Sequence, residues 1–170
     1  LTDLRRAFGR DANAVDDWGA LLPPASATSN KSIEAFATVP ITRYGLERGR
    51  GAYELFRDVV LEGRDFASDM QVEPVSTSVV QGVATQPGGL GYASVFFRTA
   101  RTKLLPIAHQ GEVVEPTAAN ALSGKYPLAR FLYVMVNKAP RVPLDAAQRQ
   151  FLAFALSRDG QDVVAAQGFY

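Results

Sequence analysis

A strand that turns directly into a helix is the feature that most limits how this chain can fold. Ala37 to Tyr44 alternates apolar and polar side chains, which predicts a strand, and Pro40 assigns it to an edge or to an early strand position. The turn Gly45 to Gly51 contains three glycines. It opens into a predicted amphipathic helix, Ala52 to Glu62, which Gly63 ends. Strand, tight turn and helix together form the unit from which α/β folds are built.

The rest of the sequence repeats this alternation of strands and helices. Predicted strands are Gln71 to Pro74, Leu90 to Ser94, Lys103 to Ala108 and Arg130 to Asn137, the last being the most apolar run and therefore predicted to be buried. Predicted helices lie between them and at both ends: Thr2 to Phe8, a helix capped by Ser76 and Thr77, Pro116 to Ser123, Pro143 to Leu156 with Phe151, Leu152, Ala155 and Leu156 packing inward, and a last turn from Val163 to Gly168. We predict an α/β fold with a mostly parallel sheet flanked by helices, and an exposed loop at Pro23 to Asn30.

Composition excludes several classes of function. The 170 residues include no cysteine, so disulfides, thiolate metal sites and cysteine nucleophiles are ruled out. One histidine cannot build a metal centre that needs two imidazoles. The formal charge of +1 gives no bulk attraction to nucleic acid, and no apolar run approaches the ~20 residues of a membrane helix. We therefore predict no metal, no cofactor and no nucleic-acid partner.

No other motif specifies a catalytic centre. His109 stands in a polar loop-like context without a G-x-S-x-G nucleophile motif, so we interpret it as a non-catalytic residue. Gly88 to Gly91 lacks dinucleotide-binding spacing. The remaining charged groups are interpreted as solvated surface or helix caps: Asp16, Asp17, Glu62, Asp65, Asp69, Arg98, Arg101 and Lys103.

The glycine turn is a candidate anion site. Backbone N–H groups at Gly51 and Ala52 would converge at the positive end of a helix, and Arg48 and Arg50 would add charge and donors. The alternative is that the glycines only make a tight turn. A second helix start, at Ser76 and Thr77, follows another predicted strand. If both helix starts lie at equivalent ends of strands in one sheet, they face a common crevice; the alternative is that the two hydroxyls are ordinary caps.

Four stretches together resemble a known family. These are Leu1 to Gly9 with Trp18 downstream, Tyr44 to Leu46 through Tyr53 to Phe56, Val79 to Ala84 with Pro87 and Leu90 to Tyr92, and Ser123 to Arg130 through Val136 to Lys138 followed by Phe151 to Gln161. They are similar to the periplasmic phosphate-binding proteins of ABC phosphate importers, which belong to the type II periplasmic solute-binding proteins.

The resemblance implies a fold, a function and partners. Residues 1–108 would form the second, ligand-binding lobe of a two-lobe protein, and residues 109–170 the crossover and a return segment with a strand and helices. The chain would capture phosphate or a related oxyanion through Arg48, Arg50, Gly51, Ala52, Ser76 and Thr77, without enzymatic activity. Its partners would be the anion and the membrane permease, and its location periplasmic or extracytoplasmic.

Two departures from the family pattern keep alternatives open. Arg50-Gly51-Ala52 stands where relatives carry Ser-Gly-Thr, so a different anion, or a ligand-less structural or adhesion derivative, is also considered; a phosphate-ester hydrolase is less favoured. The chain is also about half the expected length and begins with Leu1, which predicts an excised or processed piece. Its return segment would then pack on a missing first lobe or self-associate.

Overall fold

The computed structural model describes residues 1–11, 13–22 and 31–169, and for 31–33 the backbone only. The loop predicted at Pro23 to Asn30 lies outside these residues. The helices are α1 (Thr2–Phe8), α2 (Lys31–Ala37), α3 (Gly51–Val59), α4 (Ser76–Thr85), α5 (Ala118–Leu122), α6 (Ala146–Ala155) and α7 (Arg158–Ala166). The strands are β1 (Thr42–Leu46), β2 (Gln71–Glu73), β3 (Gly89–Gly91), β4 (Ile107–His109) and β5 (Glu112–Val114), and short 3-10 turns cover Trp18–Ala20 and Val95–Phe97.

A three-stranded parallel sheet confirms the predicted α/β class. Its order is β2-β1-β3, with Leu46 opposite Glu73 and Thr42 opposite Gly89. Helix α3 connects β1 to β2, and α4 connects β2 to β3, as parallel pairing requires. Strands β4 and β5 form a separate antiparallel hairpin.

The two faces of β1 pack against different layers. The ring of Tyr44 lies against Gly82 of α4. The next residue, Gly45, points to the opposite face, where a Cβ would collide with Met70 and Tyr92. Gly45 is therefore glycine because the sheet meets a crowded aromatic layer at this position.

That layer is an aromatic cluster built from distant parts of the chain. Phe8 of α1 and Phe56 of α3 meet edge to face at 4.9 Å, and Phe56 stacks on Tyr92 at 4.3 Å. Phe66 completes the cluster at 5.7 Å from Tyr92, and all four rings are buried. Such pairs contribute about 0.5–1.5 kcal/mol each beyond area burial, so the cluster fixes α1 and α3 on the sheet.

A buried arginine ties the same face together. Arg43 of β1 is 2% exposed and donates to the carbonyl oxygens of Ala7 and Val15. Its guanidinium also pairs with Asp69 at 2.7 Å and with Asp16 at 3.3 Å. Both aspartate side chains are exposed, as the sequence analysis predicted, and they also neutralise this buried cation.

Several boundaries differ from those predicted. Helix α2 occupies residues up to Ala37, and β1 begins only at Thr42. Pro40 explains the late start, because it has no N–H for a sheet ladder and forms only an isolated bridge with Asp17. Strand β3 is shorter than predicted and begins one residue earlier, and β4 is shorter and begins only at Ile107. Helix α3 begins one residue earlier than predicted and ends at Val59.

The C-terminal part departs most from prediction. Residues 131–136 have no strand partner among the described residues and are exposed, up to 91% at Met135, so the predicted buried strand is wrong here. Helix α6 forms, but Phe151 and Leu156 are exposed and do not pack inward. Buried hydrophobic residues of the described chain end at Val114. An apolar strand needs a sheet to join, and no described residue after Val114 belongs to a sheet.

Replacing Arg43 by methionine should lower the free energy of unfolding by about 3 kcal/mol, because two buried carbonyl groups lose their donor. Urea denaturation measures the loss. Arg64→Met is the matched control, since the Arg64 side chain is 55% exposed and reaches Asp11 and Glu62 only at 3.5 Å. We expect a loss below about 1 kcal/mol there. Equal losses in the two variants would contradict the role given to Arg43.

Candidate anion site

The candidate site begins where β1 ends. The N–H of Glu47 donates to the carbonyl of Glu73 at 3.1 Å, which extends the β1–β2 ladder by one bond. The chain then reverses through Gly49, whose φ of +87° is the left-handed conformation that glycine adopts most readily. Helix α3 starts at Gly51, so the end of β1 and this short turn position the helix start.

The first-turn amides of α3 are free to bind an acceptor. The first helical hydrogen bond runs from the N–H of Glu54 to the carbonyl of Arg50. Within the described residues, the N–H groups of Gly51, Ala52 and Tyr53 therefore lack acceptors. Gly51 is exposed and Ala52 is half-buried. Free amides at the positive end of a helix favour a bound anion.

The predicted arginines are placed differently from each other. Arg50 is held by Glu47, whose Oε1 accepts from Nε at 3.0 Å and from Nη2 at 2.7 Å. Arg48 is exposed and has no partner within the described residues. Glu54 accepts the N–H of Gly49 at 3.2 Å, so one carboxylate already lies beside the helix start and competes with an anion.

An arginine that the sequence did not reveal also lies at this helix start. A Cβ built on Gly51 would lie 2.9 Å from Cζ and 3.3 Å from Nη1 of Arg130, so the guanidinium lies against the glycine. No local pattern links the two residues, because they are far apart in sequence and meet only in the fold. The sequence analysis predicted Arg130 as the first residue of a strand and included it in a stretch that carries the family resemblance, but it did not assign Arg130 to the anion site.

The second helix start lies at the same edge of the sheet. Helix α4 follows the carboxyl end of β2, which is parallel and adjacent to β1, so both helices begin on one side. The predicted caps are wrong: Val75 is the N-cap, and no side chain caps α4. Ser76 instead accepts the N–H of Ser94 at 3.5 Å, and Thr77 is exposed.

A buried tyrosine holds the strand end that leads into the site. The hydroxyl of Tyr92 accepts the N–H of Leu46 at 3.2 Å and donates to its carbonyl at 3.4 Å. Burial raises the pKa of this hydroxyl well above its ordinary value of 10.0. A neutral Tyr92 thus fixes the last residue of β1, and with it the direction of the following turn.

A large cleft adjoins the helix start. It encloses about 1220 Å³ and is lined mainly by apolar side chains, with Ala52 and Arg130 among its walls. Its other cationic lining residues are Arg98, Arg101 and Lys103. Across the described ranges, no cluster of His, Asp or Glu side chains could hold a metal ion, and no helix has the length and apolarity that crossing a bilayer requires.

Comparison with known proteins assigns the family. Residues 11–159 match the PBP superfamily domain, which is most of the chain. The chain belongs to the PBP superfamily. The parallel sheet with helices at its carboxyl edge is therefore a PBP superfamily arrangement, and the predicted resemblance is confirmed at this level.

Two curated relatives narrow the resemblance. The phosphate-binding protein PstS of Pseudomonas aeruginosa is 40% identical over 136 residues, which are 79% of this chain and 42% of that protein. Protein SphX of Synechococcus elongatus is 29% identical over 167 residues, which are 94% of this chain and 45% of that protein. This PBP superfamily chain thus spans less than half the length of either relative.

A solved structure supports the fold. The crystal structure of a phosphate ABC transporter, phosphate-binding protein from Streptococcus pneumoniae has a TM-score of 0.56 and 23% identity, covering 74% of this chain and 49% of that one. At this identity the likeness concerns the fold alone. It again covers about half of the solved chain.

Replacing Tyr92 by phenylalanine should lower the free energy of unfolding by about 1–2 kcal/mol, since the buried N–H of Leu46 loses its acceptor. The parent should also lose stability as the pH rises above 10, because the unfolded tyrosine ionises there while the folded one stays protonated. Urea denaturation between about pH 8 and pH 11 measures both effects, because this range lies on both sides of the pKa of an unfolded tyrosine.

Tyr53→Phe is the control, because the Tyr53 hydroxyl has no hydrogen-bond partner within the described residues. The control should keep the alkaline loss, and Tyr92→Phe should lose much of it. An unchanged alkaline slope in Tyr92→Phe would show that other groups cause the loss.

Proposed function

We propose that this chain is the ligand-binding part of a solute-binding protein that captures phosphate, or a related oxyanion, for an ABC importer. PstS, 40% identical, is named a phosphate-binding protein, which supports the substrate class. The proposed partners are the anion and the importer's membrane permease, and the proposed location is periplasmic or extracytoplasmic. The proposal is for binding without catalysis, because the curated relative is named for binding and no catalytic constellation stands out in the sequence.

The free amides at the start of α3 are the observation that carries the proposal. Gly51 and Ala52 offer N–H groups at the positive end of the helix, and Arg48 is free to add charge. Arg50, Ser76 and Thr77 remain in the proposed site. Of these, Arg50 and Ser76 would have to exchange their present partners to reach the anion.

A ligand-less structural derivative is the second candidate. It is favoured by the two carboxylates of Glu47 and Glu54, which already satisfy Arg50 and the N–H of Gly49. Ala52 also offers no side-chain hydroxyl to an anion. In this alternative the helix start would serve only to stabilise the turn.

We further propose that residues 1–108 form the ligand-binding lobe and that residues 109–170 dock on a first lobe. The proposal rests on the exposed apolar side chains after Arg130, together with the share of its relatives' length that this chain spans. The exposed side chains of this apolar surface are Phe131, Leu132, Tyr133, Val134, Met135, Val136, Phe151, Phe154 and Leu156. Large exposed apolar patches mark surfaces that bind another protein or domain.

The protein is purified in the form that its source produces. Inorganic phosphate should bind to it, and isothermal titration should measure the heat of binding. Arg50→Glu should weaken binding at least about tenfold, because it replaces an attractive charge beside the helix start with a repulsive one. Arg64→Glu makes the same charge change on the face lined by Arg5 and Arg6 and should change little. Sulfate and a phosphate ester are titrated in parallel.

If no anion gives a heat of binding in the titration, the binding proposal is contradicted and the ligand-less alternative is favoured. Turnover of a chromogenic phosphate ester that follows the purified protein would contradict the absence of catalysis. If Arg50→Glu and Arg64→Glu weaken phosphate binding equally, Arg50 does not contribute to the site.

The 170-residue chain alone should self-associate through the apolar surface when no first lobe covers it. Met135→Lys should shift sedimentation toward monomer, because it adds a charge at a 91% exposed apolar position. Val113→Lys, at a 70% exposed valine of the β5 hairpin, is the matched control and should leave association unchanged. A stable monomer for the parent chain that binds no apolar dye would contradict the docking proposal.

A further inference from the structure

The C-terminal segment, residues 131–169, is joined to the rest of the chain by one aromatic contact. Its hydrogen bonds to described residues all stay inside the segment, and its charged side chains form no ion pair with the described part of the chain. Helices α6 and α7 contact each other. Among the hydrogen bonds, ion pairs and ring contacts of the described residues, only the stacking of Phe169 on Phe96 leaves the segment.

This contact is a parallel stack of two partly exposed rings. The ring centroids of Phe96 and Phe169 are 5.9 Å apart, and the ring planes differ by 6°. Gly168, with a φ of +82°, reverses the chain after α7. A Cβ on Gly168 would lie 2.6 Å from Cδ2 of Phe96, so glycine at this position lets the ring approach. One exposed ring pair is a weak attachment, so it can open while the buried core stays folded.

Both ends of the C-terminal segment line the large cleft described above. Residues 131–132 at its start and residues 168–169 at its end are among the cleft walls, whereas residues 133–167 are not. Val95, next to the stacked Phe96, lines the cleft as well. The segment therefore leaves one wall of the cleft and returns to it beside the 3-10 turn Val95–Phe97, where the ring stack holds its end.

We propose that residues 131–169 are a strap that closes the cleft, and that the Phe96–Phe169 stack is the latch that holds the strap in place. When the two rings separate, the strap stays joined to the rest of the chain only at its start, so the wall formed by residues 168–169 moves away. The sheet is unaffected, because the buried hydrophobic residues of the described chain lie at or before Val114. The inference concerns access to the cleft and holds whichever ligand binds there.

Phe169→Leu and Phe169→Tyr test whether the ring stack holds the strap, since leucine keeps the apolar bulk and tyrosine keeps the ring. The readout is hydrogen exchange, by mass spectrometry, of the Phe97 and Arg98 amides, which bond inside the 3-10 turn across the latch. Phe169→Leu should speed their exchange about three- to tenfold, which corresponds to the energy of one aromatic pair. Phe169→Tyr should leave it near the parent's rate. The protein is used in the form that its source produces.

Phe96→Leu tests the latch from the other side. It should speed the exchange of the Gly168 and Phe169 amides, which bond to carbonyls of α7, by a similar factor. Val163→Ala is the matched control, because it shortens an exposed apolar side chain of α7 that is not part of the stack. The control should leave the exchange of the 3-10 turn Val95–Phe97 and of Arg98 unchanged.

The latch would be overturned if Phe169→Leu exchanged like the parent, or if leucine and tyrosine at position 169 had the same effect. Equal acceleration by Val163→Ala would also overturn it. The amides of β1 should exchange at the parent's rate in every variant. Faster exchange there would mean that the ring pair stabilises the whole fold, which contradicts a strap that opens by itself.

Discussion

The buried guanidinium of Arg43 is the contact through which the separate parts of this fold meet. It lies on the central strand and binds Ala7 near the end of α1, Val15 in the following loop and Asp69 just before β2. Removing a cation from water costs several kilocalories per mole, so its oxygens must be in place before burial is favourable. Five donors in one rigid group let a single side chain set the positions of three segments.

The position of the proposed anion site follows from that central strand. Parallel pairing with β2 places two helix starts at one edge, and the bond between Tyr92 and Leu46 fixes where β1 ends. Gly49 then reverses the chain within a few residues. The free amides of α3 therefore have a direction imposed by the sheet, which is the preorganisation that anion binding requires.

The chain divides into a packed part and an uncovered part. The aromatic cluster and every buried hydrophobic residue in the described ranges lie at or before Val114, whereas residues 131–136 form no strand with these residues and are exposed. An apolar segment with unpaired backbone gains most of its free energy when a sheet accepts it. Arg130 stands at the junction of the two parts, so the segment that begins the uncovered part also reaches the proposed anion site.

Sequence alone determined the strand–turn–helix unit, because hydrophobic periodicity and glycine turns are local properties: α3 begins within one residue of its prediction. It also predicted the parallel class and the short strand at Gln71. It could not predict the pairing of Arg43 with Asp69, or the approach of Arg130 to Gly51, since these contacts join residues without any local signal. The exposure of Met135 could not be predicted from the sequence either. An apolar pattern shows that a segment would be stable in a sheet, but only the tertiary structure decides whether a sheet is there.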